Sequence, residues 1–268
     1  MSKKLIIANW KANPPTLHDA LELARNIERA ASAHRRVEVI VAPPFPFLAE
    51  VASVLKRAKR ASQNTFWGDV GPYTGEVSWR QLKSLNVTHV IVGHSERRML
   101  LGETDEMVNK KVQALLEHGL IPILCVGERE RSGGEMPEDA AQQLKSALAG
   151  VKKVLVKNLI IAYEPVWAIS TAPGSSPDTP ESVFRAHVYI KKVIAGLFGR
   201  PVAERVKIIY GGSVNAHNIL SFLIDGHMHG ALVGGASLNA EEFAGMIKIA
   251  SSQSLPLINR SRYRHGCP

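Results

Sequence analysis

Residues 89–126 run His89-Val90-Ile91-Val92-Gly93-His94-Ser95-Glu96-Arg97-Arg98, continue through Thr104-Asp105-Glu106-Met107-Val108, and end in Ile121-Pro122-Ile123-Leu124-Cys125-Val126. A short apolar run of strand length opens the stretch, and polar residues crowd immediately behind it. Thr104 followed by two acids has the form of a helix start, a hydroxyl cap and then negative charge in the first turn. Met107, Val108, Val112, Leu115 and Leu116 fall on one face of the helix that follows, and a second apolar run closes the unit. Both runs are continuously hydrophobic rather than alternating, as expected for parallel strands whose outer face is covered by helices.

Outward in both directions the same strand–helix unit recurs. Strands are expected at Leu5–Ala8, Val37–Ala42, Arg60–Gln63, His89–Val92, Ile121–Val126, Ile160–Tyr163, Val206–Tyr210 and Ala231–Val233. Between them, Leu17, Leu21, Ala24 and Ile27 share a helical face, as do Val183, Ala186, Ile190 and Val193, with Thr179-Pro180-Glu181 as a second helix start. Alternating strands and helices predict a parallel α/β protein. Eight units favour a closed eight-stranded parallel β/α barrel over an open sheet, and the 268 residues suit one barrel of ~250 residues. Length alone also allows two domains of ~130 residues, but nothing resembles a linker, and Ala172–Pro180 is the one Pro/Gly/Ser-rich stretch. The expectation is a single catalytic domain over residues 1–252. A basic tail over 253–268, with Arg260, Arg262, Arg264 and His265, is read as a flexible, solvated end, with a binding arm as the alternative.

No apolar run approaches the ~20 residues of a membrane span, and Leu5–Ala8 is too short for a signal-peptide core, so a soluble cytoplasmic protein is expected. Two cysteines, Cys125 and Cys267, argue against a disulfide scaffold, and Cys125 is read as a buried packing thiol. The formal charge of +9 could draw anions or nucleic acid, yet no aromatic-interleaved basic stripe supports nucleic-acid recognition. The scattered histidines form no metal constellation; His227 and His229 are read as surface residues of a turn.

Polar residues collect just behind the strands, where β/α barrels carry their chemistry. Asn9-Trp10-Lys11 follows the first strand, Gly93-His94 the fourth, Glu164 the sixth, Gly211-Gly212-Ser213 the seventh and Gly234-Gly235 the eighth. Singly, each has a bland reading: a solvated lysine, a packing histidine, a glutamate paired with arginine, tight turns. Together on one rim they fit a specific chemistry. Glycine-rich backbone at Ser213 and Gly234-Gly235 can cradle phosphate. Glu164 can act as a general base, and Lys11 and His94 can stabilise the developing oxyanion. Such a set suits proton abstraction beside a carbonyl in a small phosphorylated molecule.

Nine strings carry a resemblance in their order along the chain: Asn9-Trp10-Lys11, Gln63-Asn64, Thr74-Gly75-Glu76-Val77-Ser78, Val92 to Arg98, Gly102-Glu103-Thr104, Cys125-Val126-Gly127-Glu128, Tyr163 to Ile169, Tyr210 to Val214, and Leu232 to Ser237. From the first strand to about Ser252 the sequence resembles the triosephosphate isomerase family. That resemblance implies a β/α barrel interconverting dihydroxyacetone phosphate and D-glyceraldehyde 3-phosphate through an enediolate, without metal or organic cofactor. It assigns Glu164 as base, His94 as neutral electrophile, and Asn9 and Lys11 as substrate contacts. Phosphate would meet the backbone N–H groups of Ser170, Ser213, Gly234 and Gly235, and Glu96 would support the site. It also implies a mobile lid behind Glu164, hinged near Pro165-Val166-Trp167, and a homodimer in which the Thr74 loop reaches the partner. The lid departs from the family's usual glycine-rich form: Ile169-Ser170-Thr171-Ala172-Pro173-Gly174-Ser175-Ser176-Pro177 is a few residues longer and carries serine and alanine at its tip. Competing readings are another sugar-phosphate-handling barrel enzyme, or a non-catalytic relative binding nucleic acid through the tail.

Overall fold

The computed structural model describes residues 3–130, 138–168 and 178–252. Strand and helix alternate from the start: Lys4–Asn9 (β1), Leu17–Ala33 (α1), Val37–Ala42 (β2), Leu48–Val54 (α2), Lys59–Ser62 (β3), Trp79–Ser84 (α3) and His89–Val92 (β4). Two helices, Ser95–Leu100 (α4) and Asp105–Glu117 (α5), lead to Ile121–Val126 (β5), and two more, Glu138–Ala147 (α6) and Lys153–Val156 (α7), to Ile160–Tyr163 (β6). Pro180–Phe198 (α8) and Arg200–Arg205 (α9) precede Lys207–Tyr210 (β7); Ile219–Ile224 (α10), Gly230–Val233 (β8) and Ala240–Ser252 (α11) complete the described residues.

The eight strands are parallel and close into a barrel in sequence order. Closure is made where β1 meets β8, with Leu5 opposite Gly230 and Ala8 opposite Val233. Alternation along each strand divides the core in two. Leu5, Ile7, Ile40, Ala61, Ile91, Ile123, Ala162, Ile209 and Leu232 fill the barrel interior. Their neighbours Ile6, Ala8, Val39, Val41, Val90, Leu124, Ile161 and Ile208 face outward beneath the helices. Both faces are dry, which is why the strands read as unbroken apolar runs. Leu5, Ile6 and Ile7 are all fully buried, each such side chain contributing about 1.5–3 kcal/mol on transfer from water.

The strand boundaries expected for β2, β4, β5 and β6 coincide with those observed, β7 and β8 differ by one residue at their first end, and β1 and β3 by one residue at each end. Thr104 and Thr179 cap α5 and α8, accepting the N–H of Met107 and Ser182 respectively, as their sequences predict. Three expectations about faces need correction. In α1 the buried stripe is Ala20, Leu23, Ala24, Ile27 and Ala31. Leu21, one residue and ~100° from Ala20, lies on the flank of that stripe, and Leu17 in the first turn is exposed. Met107 is exposed at the first turn of α5, and in α8 Ile194 joins the fully buried face while Val193 is half-buried against the same core. His229 is not a surface residue: its Nδ1 lies 3.1 Å from the Ile208 carbonyl oxygen and its ring stacks on His187 at 5.6 Å. Its strand neighbours draw it inward, because its own N–H donates to the Ile208 carbonyl just ahead of β8. His227 is exposed, as expected.

Candidate active site

The carboxyl ends of the strands converge on a cavity of about 230 Å³ lined by Asn9, Lys11, His94, Glu164, Gly211, Ser213, Gly234 and Gly235, among others. Seven of the eight residues singled out from sequence therefore meet at one mouth. The eighth, Ser170, lies with the rest of 169–177 outside the described residues.

Glu164 directly follows β6 and is buried. Its N–H donates to the Val126 carbonyl of β5, so the barrel sheet itself sets its position. Its Oε1 lies 3.4 Å from His94 Nε2, and its Oε2 accepts the Ser95 N–H at 3.4 Å. Gly211 makes room for it: a Cβ there would stand 2.6 Å from Glu164 Cγ. Beneath the carboxylate sits Cys125, whose thiol is held well above its usual range, first by burial and then by the Glu164 charge and hydrogen bond. Cys125 is thus a protonated packing thiol, as read from sequence.

His94 precedes α4 and caps it, its Nδ1 accepting the Glu96 N–H at 3.2 Å. An Nδ1 that accepts a backbone proton leaves the ring proton on Nε2, the nitrogen that faces Glu164 and the cavity. Lys11 follows β1 with φ 54°, a left-handed conformation uncommon outside glycine. Two contacts hold it there: its N–H donates to Asn9 Oδ1, and the Gln63 amide donates to its carbonyl at 2.8 Å and to that of Ala42 at 2.9 Å. The ammonium pairs with Glu96 Oε1 at 2.6 Å and lies beside Gly234, where a Cβ would come within 3.3 Å of Lys11 Cε. Glu96 thus touches the site through Lys11. Gln63 was recognisable in sequence only as part of a quoted string; its placement of Lys11 depends on β3 lying next but one to β1.

Beside Lys11, at the end of the neighbouring β8, Gly234 leads into a 3₁₀ turn over Gly235–Leu238, whose leading N–H groups have no acceptor within the turn. Ser213 differs: both its N–H and its hydroxyl donate to the Ala168 carbonyl, at 3.1 and 3.0 Å. That tie joins the loop after β7 to the 3₁₀ turn Val166–Ala168 behind Glu164. The same turn is anchored through Glu128, which accepts from Tyr163 at 2.7 Å and Trp167 at 3.3 Å. Among the described residues, no group of three histidine, cysteine or acidic side chains is placed to hold a metal ion.

A closed β/α barrel with a buried carboxylate, an imidazole N–H and an ammonium facing a glycine-lined wall defines a barrel enzyme of acid–base chemistry on a small anion. The family model described as triosephosphate isomerase matches residues 4–250. A triosephosphate isomerase of Caldanaerobacter subterraneus subsp. tengcongensis is 44% identical over 251 residues, covering 92% of this chain and 99% of that protein. Those of Dictyoglomus thermophilum and Citrifermentans bemidjiense are 40% and 42% identical, again over 92% of this chain and 100% and 99% of theirs. The chain belongs to the triosephosphate isomerase family.

Proposed function

We propose that the protein interconverts dihydroxyacetone phosphate and D-glyceraldehyde 3-phosphate, with Glu164 as the base. Glu164 takes the proton from C1 of the ketose, and the C2 carbonyl becomes an oxyanion. The Lys11 ammonium and the His94 Nε2–H stabilise that charge. After a proton passes between the two oxygens, Glu164 returns its own to C2, giving the aldose with no net gain or loss of atoms. Asn9 orients the substrate. The phosphate rests on Lys11 and the backbone N–H groups of Gly234, Gly235, Ser213 and Ser170. For Ser213 this requires exchanging its bond to Ala168, so phosphate uptake and movement of the segment behind Glu164 go together. The observation that carries the reading is the 3.4 Å approach of Glu164 to His94 in one cavity with Lys11 and Gly234. A coupled assay of the two triose phosphates, with Glu164→Gln as control, tests it. Turnover in the parent and its loss in the variant are expected; an active Glu164→Gln would reject the assignment.

The catalytic domain is taken as residues 1–252, supported by the family match over 4–250. The working form is proposed to be a cytoplasmic homodimer. Thr74 and Gly75 stand exposed, and Val70, Tyr73, Met99, Leu100 and Leu101 are large apolar side chains open to water. A cleft of about 290 Å³ lined by Lys11, Gln63, Glu96, Leu100 and Leu101, among others, is suited to receive the Thr74 loop of a second copy. Occupied in that way, it would steady Lys11 and His94. Sedimentation of the parent as a monomer would refute the dimer.

A further inference from the structure

At the amino-terminal end of the barrel, far from the chemistry, a second cleft of about 780 Å³ opens between α8, α9 and α10. Its walls are aliphatic, with Val188, Ala195, Leu223 and Ile224, while its polar groups are almost all cationic or imidazole. Lys4 of β1 and Lys191 of α8 each bind two carbonyl oxygens. Lys4 holds those of Leu223 and Met228 at 3.2 and 2.6 Å, and Lys191 those of Ala203 and Val206, both at 2.6 Å. An ammonium has three donors, so each retains one N–H. His187 and His229, which line the same cleft, stack at 5.6 Å, and the buried His187 Nδ1 has no hydrogen-bond partner among the described residues. Lys192, Arg200 and His227 stand on the margin. The sole carboxylate among the described residues lining the cleft, Glu204, is engaged by Arg200 Nε at 2.9 Å.

Capping of the carbonyls at the ends of α9 and α10 accounts for where the two lysine heads sit. It does not account for a paired set of imidazoles set against them, or for the surrounding cleft. We propose that this cleft binds a small organic anion with an apolar body, its charged head received by Lys4, Lys191 and His187 and its body lying against Val188 and Ile224. Charge complementarity supplies the reason: several positive groups converge at low dielectric with a single, already paired, carboxylate.

The site should take up protons as it fills. His187 titrates at about 3, lowered by burial and then by His229, Lys191, His227 and Lys4. His229 titrates at about 4, lowered by burial and then chiefly by Lys191, with Lys4 and Lys207 adding and the Ile208 carbonyl opposing. An anion placed among them favours the imidazolium forms, so both values rise in the complex and binding strengthens as pH falls.

Benzenesulfonate, whose charge is constant over the range, is the probe, followed by the imidazole resonances of His187 and His229 between pH 5 and 7.5. Saturable shifts at both rings are expected, with affinity rising by up to about tenfold per pH unit for each proton taken up. Sulfate, which lacks the apolar body, and benzyl alcohol, which lacks the charge, should each bind about tenfold more weakly or worse. Lys191→Met should weaken binding. Val188→Glu, on an exposed wall where folding is not at stake, should weaken it by about tenfold through like charge and leave isomerase turnover unchanged. Undisturbed ring resonances, equal binding of sulfate or benzyl alcohol, or full binding by Val188→Glu would each overturn the proposal.

Discussion

Glu164 illustrates how tightly single residues are constrained at the rim. The sheet holds its backbone through Val126, Gly211 clears space for its side chain, and Cys125 and the Ser95 N–H contact its carboxylate. A base in so fixed a place tolerates little displacement. Glu164→Asp withdraws the carboxylate by one methylene, and a misplacement of ~1 Å can cost ~100-fold in rate. Steady-state kinetics should therefore show kcat falling by about that factor, with KM nearly unchanged because the phosphate contacts lie elsewhere. A kcat equal to the parent's would remove Glu164 from the chemistry.

At the scale of elements, the connection from α4 into α5 is secured by a buried ion pair. Lys111, on the inner face of α5, bonds Glu103 and also donates to Asn64 Oδ1 at 2.7 Å, tying α5 to the loop after β3. Arg97 Nε approaches the other Glu103 oxygen at 3.4 Å. Burial lowers the Lys111 pKa, and Glu103 opposes that effect, the pattern of a charge that depends on its partner. Lys111→Met leaves Glu103 buried with only the longer Arg97 contact and Asn64 without its donor. Loss of one member of such a pair costs about 3–5 kcal/mol, equivalent to a Tm lower by roughly 10 °C for a domain of this size. Adding Glu103→Gln should recover part of the loss. A single variant that melts with the parent would show the pair to be neutral.

For the whole molecule, the amino-terminal end of the barrel sets a sensitivity to acid. His89 on β4 titrates at about 4, lowered by burial and by Lys59, and His187 and His229 at about 3 and 4. The ordinary value is ~6.5, so in each case the folded state resists a proton that the unfolded chain accepts. Stability associated with the three neutral rings is complete above pH ~6.5 and is lost progressively as pH falls towards 3–4, by a few kcal/mol per ring in order of magnitude. Denaturant midpoints should drop steeply from pH 6.5 to 4, and less so in His89→Gln. A midpoint constant over that interval would contradict neutral burial of these rings.

Much of the architecture is legible in local pattern, because a parallel strand buried on both faces must be apolar throughout, and a helix start needs a side chain to satisfy its leading N–H groups. Eight such runs, Thr104 and Thr179 as caps, and the chemistry-bearing residues at or within three places of the ends of five strands all follow from neighbours in the chain. What depended on tertiary structure is whatever involves distant segments. Closure of β1 on β8 joins residues more than two hundred positions apart. The inward turn of His229, the hold of Gln63 on Lys11, the tie from Ser213 to Ala168 and the cationic cleft below α8 arise only once the sheet has curled. Hydrophobic period reports which face of an element avoids water, and says nothing about which other element meets it there.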